Sequence, residues 1–105
     1  MKILITGVSG FVGGRLAQSL ARDHEVSGVY RNTRPKHLEG LANLTLVQDD
    51  LSQPRNLPKD YEYVVHTAAD TPPTVQHKAQ LWRTNMEGMR QLLQWTKKVG
   101  ANYFL

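Results

Sequence analysis

The chain has 105 residues, enough for one small domain, with an ordinary balance of 40% hydrophobic and 21% charged residues. It contains no cysteine, which excludes disulfides and thiolate metal sites, and no two of its four histidines have the i, i+4 spacing of a helical zinc site. Its apolar runs are too short to cross a bilayer, and the N-terminus lacks the pattern of a signal peptide. We therefore expect an intracellular, cytoplasmic protein without a metal and without a membrane partner.

The strands and helices expected from the sequence alternate along the chain. A continuous apolar run over residues 2–6 is typical of a strand buried on both faces of a parallel sheet. The other expected elements are a helix over 11–22, a strand over 25–30, a loop or short irregular helix over 31–40, a strand over 44–47, a fourth strand centred on Val64 and Val65, a helix over 76–99 capped by Gly100, and a fifth strand from 102 onward. This order predicts one three-layer α/β domain over residues 1–105, a doubly wound parallel sheet with strand order 3-2-1-4-5 that ends after the start of its fifth strand.

The turn after the first strand is rich in glycine. Gly7 permits a tight strand-to-helix turn, Gly10 lets a phosphate approach the backbone, and Gly13 allows the helix to pack closely on the first strand. Such a spacing also occurs for packing alone, but its place between a strand and an amphipathic helix favours the dinucleotide turn of a Rossmann fold. The binding residues expected at this turn are Gly7, Ser9, Gly10, Phe11, Val12 and Gly13.

The end of the second strand bears on the choice of cofactor. NAD-binding domains place a carboxylate there for the ribose hydroxyls, whereas NADP-binding domains place arginine nearby. Here Tyr30 occupies the acidic position, and the basic residues Arg31, Arg34 and Lys36 follow it. A solvated loop is the alternative, but the pattern predicts that NADP is preferred over NAD, with Tyr30, Arg31 and Arg34 at the ribose.

Four segments together resemble a known family. They are Thr6–Gly13, Asp49-Asp50-Leu51, His66-Thr67-Ala68-Ala69, and Asn85–Gly88 followed by Leu92-Leu93. In order and spacing they are similar to the extended short-chain dehydrogenase/reductase superfamily, in its NAD-dependent epimerase/dehydratase group. The resemblance covers essentially the whole chain.

The resemblance implies a role for several polar and small residues. Asp50 would meet the adenine amino group and Leu51 would line the adenine pocket, although an aspartate after a strand also commonly caps a turn. Thr67, Ala68 and Ala69 would border the nicotinamide ribose, and we expect His66 to be packed beneath them. Asn85 would belong to the catalytic set, its alternative being an amide bonded to backbone. On the same helix, the face expected to be buried carries Trp82, Met86, Met89, Leu92 and Leu93.

The resemblance also implies an activity. It indicates an oxidoreductase, epimerase or dehydratase that acts with NADP or NAD on a nucleotide sugar or another small carbonyl or alcohol compound. The alternative is a non-catalytic dinucleotide-binding or redox-sensing module. No Tyr-x-x-x-Lys acid/base pair occurs in the chain, so we expect a part of a longer enzyme that lacks the substrate domain and is inactive alone. An open fifth strand predicts homo-oligomers. The basic residues, which give a net charge of +4, are not interleaved with aromatic ones, so no nucleic acid is expected.

Overall fold

The computed structural model describes residues 1–51, 54–67 and 78–104, and it describes the side chains of these residues except for 78–84 and 102–104. The elements, in chain order, are β1 (Lys2–Thr6), α1 (Phe11–Leu20), β2 (Glu25–Tyr30), a one-turn 3₁₀ helix (Lys36–Leu38), β3 (Leu44–Gln48), β4 (Tyr63–His66), α2 (Lys78–Val99) and β5 (Asn102–Phe104). No helix in the described ranges is both long and apolar enough to cross a membrane.

The five strands form one sheet in the order β3-β2-β1-β4-β5, and every neighbouring pair is parallel. The first strand lies at the centre, where Ile5 is opposite Gly28 of β2 on one side and Val65 of β4 on the other. The predicted order and direction of the strands are confirmed.

The core is divided between the two faces of this sheet. Ile3 and Ile5 of β1 pack in one apolar cluster with Ala17 of α1, whereas the intervening Leu4 packs in a second cluster with Leu92 of α2. Alternate side chains of a strand point to opposite faces, so the two helices cover opposite faces. This is the predicted three-layer arrangement.

The ends of the elements differ slightly from prediction. Helix α1 ends at Leu20 rather than at residue 22, because its last turn tightens: the N–H of Arg22 reaches the carbonyl of Ser19, and that of Asp23 reaches the carbonyl of Leu20. Strand β3 extends by one residue, to Gln48. The predicted start of the long helix at residue 76 lies outside the described residues. Gly100 follows this helix with a φ of 77°, as expected of a C-terminal cap.

The predicted buried face of α2 was partly wrong. Leu92 is fully buried and Met89 is half-buried, but Met86 is 49% exposed and Leu93 42% exposed. At about 100° per residue, Met86 and Leu93 lie roughly 120° and 100° around the helix from Leu92, beyond the face that meets the sheet. The predicted burial of Trp82 concerns a side chain outside the described ones.

Two glycine-to-alanine substitutions in helices are expected to have opposite effects. An added Cβ at Gly13 would overlap the carbonyl group of Gly7 and the hydroxyl of Thr67, so we expect Gly13→Ala to lower the free energy of unfolding by about 1–3 kcal/mol. At Gly88 the added Cβ would meet, among the described residues, only the Cβ of Leu51, at an ordinary 3.5 Å, and the gain in helix propensity should raise stability by up to about 1 kcal/mol. Urea unfolding followed by circular dichroism measures both changes. A Gly13→Ala variant as stable as wild type would contradict this account of α1.

Candidate functional site

The glycine turn lies at the carboxyl end of the central strand. Gly7 has a φ of 78°, in the left-handed region, and it turns the chain from β1 toward α1. The N–H of Gly7 donates to the carbonyl of Val29 in β2 at 2.9 Å, and the N–H of Gly10 donates back to the carbonyl of Gly7 at 3.1 Å. The turn is therefore anchored to both β1 and β2.

Gly13 brings the first turn of α1 against the sheet. A Cβ at this position would lie 2.5 Å from the Thr67 hydroxyl oxygen and would overlap the carbonyl of Gly7. Only glycine permits this approach, as the sequence predicts. The N-terminus of α1 is thereby placed where β1 and β4 end side by side.

The first turn of α1 has the properties of an anion site. Its N-cap residue, Gly10, supplies no side-chain acceptor, and α1 has no acidic residue in its first turn. The first N–H groups of a helix have no intrahelical partner and form the positive end of its dipole. Ser9 and Gly10 are exposed, as are Phe11 (78%) and Val12 (65%). The backbone here fits the pyrophosphate of a dinucleotide.

A hydrogen-bond network joins the ends of β1 and β4 beside this turn. The Thr6 hydroxyl oxygen lies 2.7 Å from Nδ1 of His66 and accepts the N–H of Thr67 at 3.1 Å. The Thr67 hydroxyl donates to the Thr6 carbonyl at 2.6 Å. His66 is packed as expected, and its burial lowers the pKa of its imidazole. The role of Thr6 in joining these strand ends was not predicted, because predicting it requires knowledge that β1 and β4 are neighbours in the sheet.

A cavity of about 640 Å³ that opens to solvent lies at the ends of β2 and β3. Its lining residues are Arg31, Asn32, Gln48, Asp49, Asp50, Arg55 and Asn56. The predicted residues Arg31 and Asp50 are thus brought together. The others from 48 to 56 were not predicted, because nothing in the sequence shows where the loop after β3 returns.

Asp49 performs the turn-capping role that was considered for Asp50. Its carboxylate is buried, with the residue 8% exposed, and it accepts hydrogen bonds from the backbone N–H groups of Asp50 (2.9 Å), Arg55 (3.0 Å) and Asn56 (2.8 Å). Asp50 is exposed and lines the cavity. The neighbouring Leu51 is half-buried and packs against the cluster under α2.

Tyr30 and Arg34 are engaged with the protein itself. Tyr30 is 7% exposed in the core cluster under α1, and its hydroxyl accepts a hydrogen bond from Arg34 at 3.1 Å. Arg34 also forms an ion pair with Glu39 at 2.6 Å, and these two hydrogen bonds raise the pKa of Arg34. Arg34 is not among the residues that line the cavity, and its guanidinium is bonded to Glu39, so the structure does not bring it together with Arg31 as predicted.

The remaining predicted residues are Asn85, on α2, and two residues outside the described chain. Asn85 is half-buried on α2, on the face that carries the buried Leu92. Ala68 and Ala69 lie outside the described residues. Within the described ranges, no group of three His, Asp or Glu residues could hold a metal ion. Burial raises the pKa of Tyr61 to about 12, in the direction opposite to that of a catalytic acid/base tyrosine.

Comparison with known proteins agrees with this geometry. The family model described as "NAD dependent epimerase/dehydratase family" matches residues 3–105. UDP-glucuronic acid decarboxylase 1 of Danio rerio is 33% identical over 110 residues, covering 99% of this chain and 26% of that enzyme. UDP-N-acetyl-alpha-D-glucosaminuronate decarboxylase of Bacillus cytotoxicus is 31% identical over 102 residues, covering 89% of this chain and 32% of that enzyme. The chain therefore spans about a third or less of these relatives.

A solved structure shows the same fold. UDP-glucuronic acid 4-epimerase from Bacillus cereus, crystallised in complex with NAD, superposes with a TM-score of 0.78 at 25% identity. The superposition covers 98% of this chain and 38% of that one. The present chain thus shares its fold with part of a larger enzyme that was crystallised with NAD.

The buried His66 predicts a pH dependence of stability. Its folded-state pKa lies below the unfolded value near 6.5, so the unfolded chain binds more protons and the stabilisation is lost as the pH falls below about 6.5. We expect the free energy of unfolding to decline between pH 7 and about 5, and His66→Gln to flatten that decline. Urea titrations at several pH values measure it. His37→Gln, at an exposed histidine, is the matched control and should keep the wild-type slope.

The carboxylate of Glu87 titrates in a separate window. Hydrogen bonds from Arg90 and Gln91 lower the pKa of Glu87 to about 2, from an ordinary 4.5, so its contribution is lost only below pH 4.5. A wild-type profile that stays flat between pH 7 and 5 would contradict the assignment to His66.

Proposed function

The chain belongs to the NAD-dependent epimerase/dehydratase family, and on that basis we propose that it is the dinucleotide-binding part of an enzyme that converts nucleotide sugars. The single observation that carries the proposal is the uncapped N-terminus of α1, held by Gly13 at the carboxyl ends of β1 and β4. Open α/β sheets bind ligands at this switch point between the two halves of the sheet. The UDP-sugar substrates named for its relatives support the substrate class.

Each part of the site would hold one part of the cofactor. The pyrophosphate would lie at the backbone from Ser9 to Gly13, Asp50 and Leu51 would contact adenine, and Thr67 would lie beside the nicotinamide ribose together with Ala68 and Ala69. A bound nicotinamide dinucleotide supplies the hydride donor or acceptor. Asn85, on the face of α2 that meets the sheet, would orient groups at the reacting end. The absence of Tyr-x-x-x-Lys from the 105 residues supports a chain that binds the dinucleotide without performing the reaction alone.

Binding of the dinucleotide is expected to depend on Gly10. A Cβ there would lie 3.3 Å from the Gly7 carbonyl oxygen, a tight contact that the fold can accommodate, but it would obstruct a phosphate. We expect Gly10→Ala to weaken NAD and NADP about equally, by tenfold or more, in isothermal titration calorimetry. Ser19→Ala, an exposed change on the same helix, is the control. Wild-type protein that binds neither dinucleotide would refute the proposal.

An assay of substrate conversion tests whether the 105-residue chain binds the dinucleotide only or also catalyses the reaction. We expect the chain to leave UDP-glucuronic acid unchanged in the presence of NAD or NADP. Conversion that co-purified with the chain, and that Asn85→Ala removed, would show that the chemistry needs no Tyr-x-x-x-Lys pair.

We further propose that NADP is preferred over NAD. The support is the absence of a carboxylate at the end of β2, where the buried Tyr30 stands, and the position of Arg31 in the lining of the cavity. The epimerase from Bacillus cereus was crystallised with NAD, so this preference would be a property of the present chain.

Arg31→Ala tests the preference. Loss of one charge-assisted phosphate contact costs about 1.5–3 kcal/mol, or roughly ten- to a hundredfold in NADP affinity, while NAD affinity stays the same. Arg34→Ala is the matched control, because Arg34 is occupied by Tyr30 and Glu39 and should affect neither cofactor by more than about twofold. Equal wild-type affinities for NAD and NADP, or an equal loss of both in Arg31→Ala, would contradict the preference.

A further inference from the structure

We propose that Arg55, in the loop after β3, is a second specificity-determining residue that grips the adenosine 2′-phosphate of NADP(H) together with Arg31. The inference rests on the proposed NADP preference and adds a residue to it. Both arginines line the cavity at the ends of β2 and β3, although 24 positions separate them in the sequence.

The backbone of Arg55 is fixed by the buried carboxylate of Asp49. Its N–H lies 3.0 Å from both Oδ1 and Oδ2 of that carboxylate, and the N–H of Asn56 lies 2.8 Å from Oδ2. The side-chain amide of Asn56 donates to the carbonyl of Gln48 at 3.1 Å. A carboxylate that accepts several backbone N–H groups is a strong anchor, so the loop returns to the end of β3 at a defined place.

The other wall of the cavity is tied to the same strand. The side-chain amide of Gln48 donates to the carbonyl of Arg31 at 3.1 Å, and the N–H of Asp49 donates to the carbonyl of Tyr30 at 3.0 Å. The backbone of Arg31 is therefore bonded to Gln48, the last residue of β3, and that of Arg55 to Asp49, which follows it. Arg31 and Arg55 thus line one cavity from two walls whose backbones are fixed.

The lining carries two cations, Arg31 and Arg55, and two carboxylates, the buried Asp49 and the exposed Asp50, so an anionic occupant would lie beside the arginines and away from Asp50. The carboxylate of Asp49 is turned inward and neutralised in part by the backbone N–H groups it accepts. The guanidinium of Arg55 has no ion pair within residues 1–51, 54–67 and 78–104, in contrast to that of Arg34, which is paired with Glu39. A phosphate monoester carries close to two negative charges at neutral pH and accepts paired hydrogen bonds from more than one guanidinium.

Binding of two small probes tests the inference. Adenosine 2′,5′-bisphosphate carries the 2′-phosphate and 5′-AMP does not. We expect Arg55→Ala to weaken the bisphosphate at least tenfold and 5′-AMP by less than twofold, and Arg55→Lys to lie between Arg55→Ala and wild type. The bond between the residue-55 N–H and Asp49 is a backbone contact, so both variants should keep the wild-type circular dichroism spectrum and unfolding midpoint. Lys59→Ala, which removes an exposed cation of the same loop outside the cavity, is the matched control.

A double-mutant cycle with Arg31→Ala distinguishes a shared phosphate from two separate effects. If both arginines hold one phosphate, the combined loss of bisphosphate affinity differs from the product of the two single losses. If Arg31→Ala abolishes the selectivity for the bisphosphate over 5′-AMP but Arg55→Ala does not, the role of Arg55 is overturned and the NADP preference still stands. Wild-type protein that binds the two probes equally would overturn both. If Lys59→Ala weakens the bisphosphate as much as Arg55→Ala does, the loss of affinity reflects the net positive charge of the loop and not a contact of Arg55, and the inference is overturned.

Discussion

The contact between the first turn of α1 and the ends of β1 and β4, which has no room for a Cβ at Gly13, is the constraint on which the site depends. It places the positive end of the helix over the centre of the sheet and brings Thr67 next to the glycine turn. The left-handed Gly7 makes the approach possible by reversing the chain within a few residues. Without this contact the exposed N–H groups would not face the crevice where the two halves of the sheet meet.

The cavity at the ends of β2 and β3 is built on a different principle. There a buried carboxylate, that of Asp49, accepts hydrogen bonds from the backbone N–H groups of a loop and so holds that loop against the end of β3. A buried carboxylate is stable only when hydrogen-bond donors surround it, so the burial of Asp49 at the end of β3 and the conformation of the loop depend on each other. The result is a cavity whose walls come from two separate loops, and its selectivity depends on the side chains those loops carry.

Much of the fold follows from the sequence because its signals are local. An apolar run predicts a strand, and the spacing of glycines predicts a turn, from a few neighbouring residues; this holds for β1, β2 and the helix end at Gly100. The order of the strands follows from the alternation of strands and helices along the chain. The site was less predictable where contacts are distant or where charges compete. Arg34 forms an ion pair with Glu39, and the hydrogen bond from the backbone of Arg55 to Asp49 places Arg55 at the cavity. Neither contact can be read from the order of residues in the sequence. The exposure of Met86 and Leu93 likewise depends on how α2 is rotated on the sheet.

The hydrogen bonds between Thr6 and the residues at the end of β4 also bear on the order of assembly. Strand β1 is synthesised first yet lies in the middle of the sheet, and its partners on the two sides begin at residues 25 and 63. On the ribosome β1 can therefore pair with β2 well before β4 has emerged, and one edge of the central strand stays open during that interval. The link from Thr6 to His66 and Thr67 forms only after β4 has paired with β1, so the crevice beside the glycine turn cannot take its final form before then.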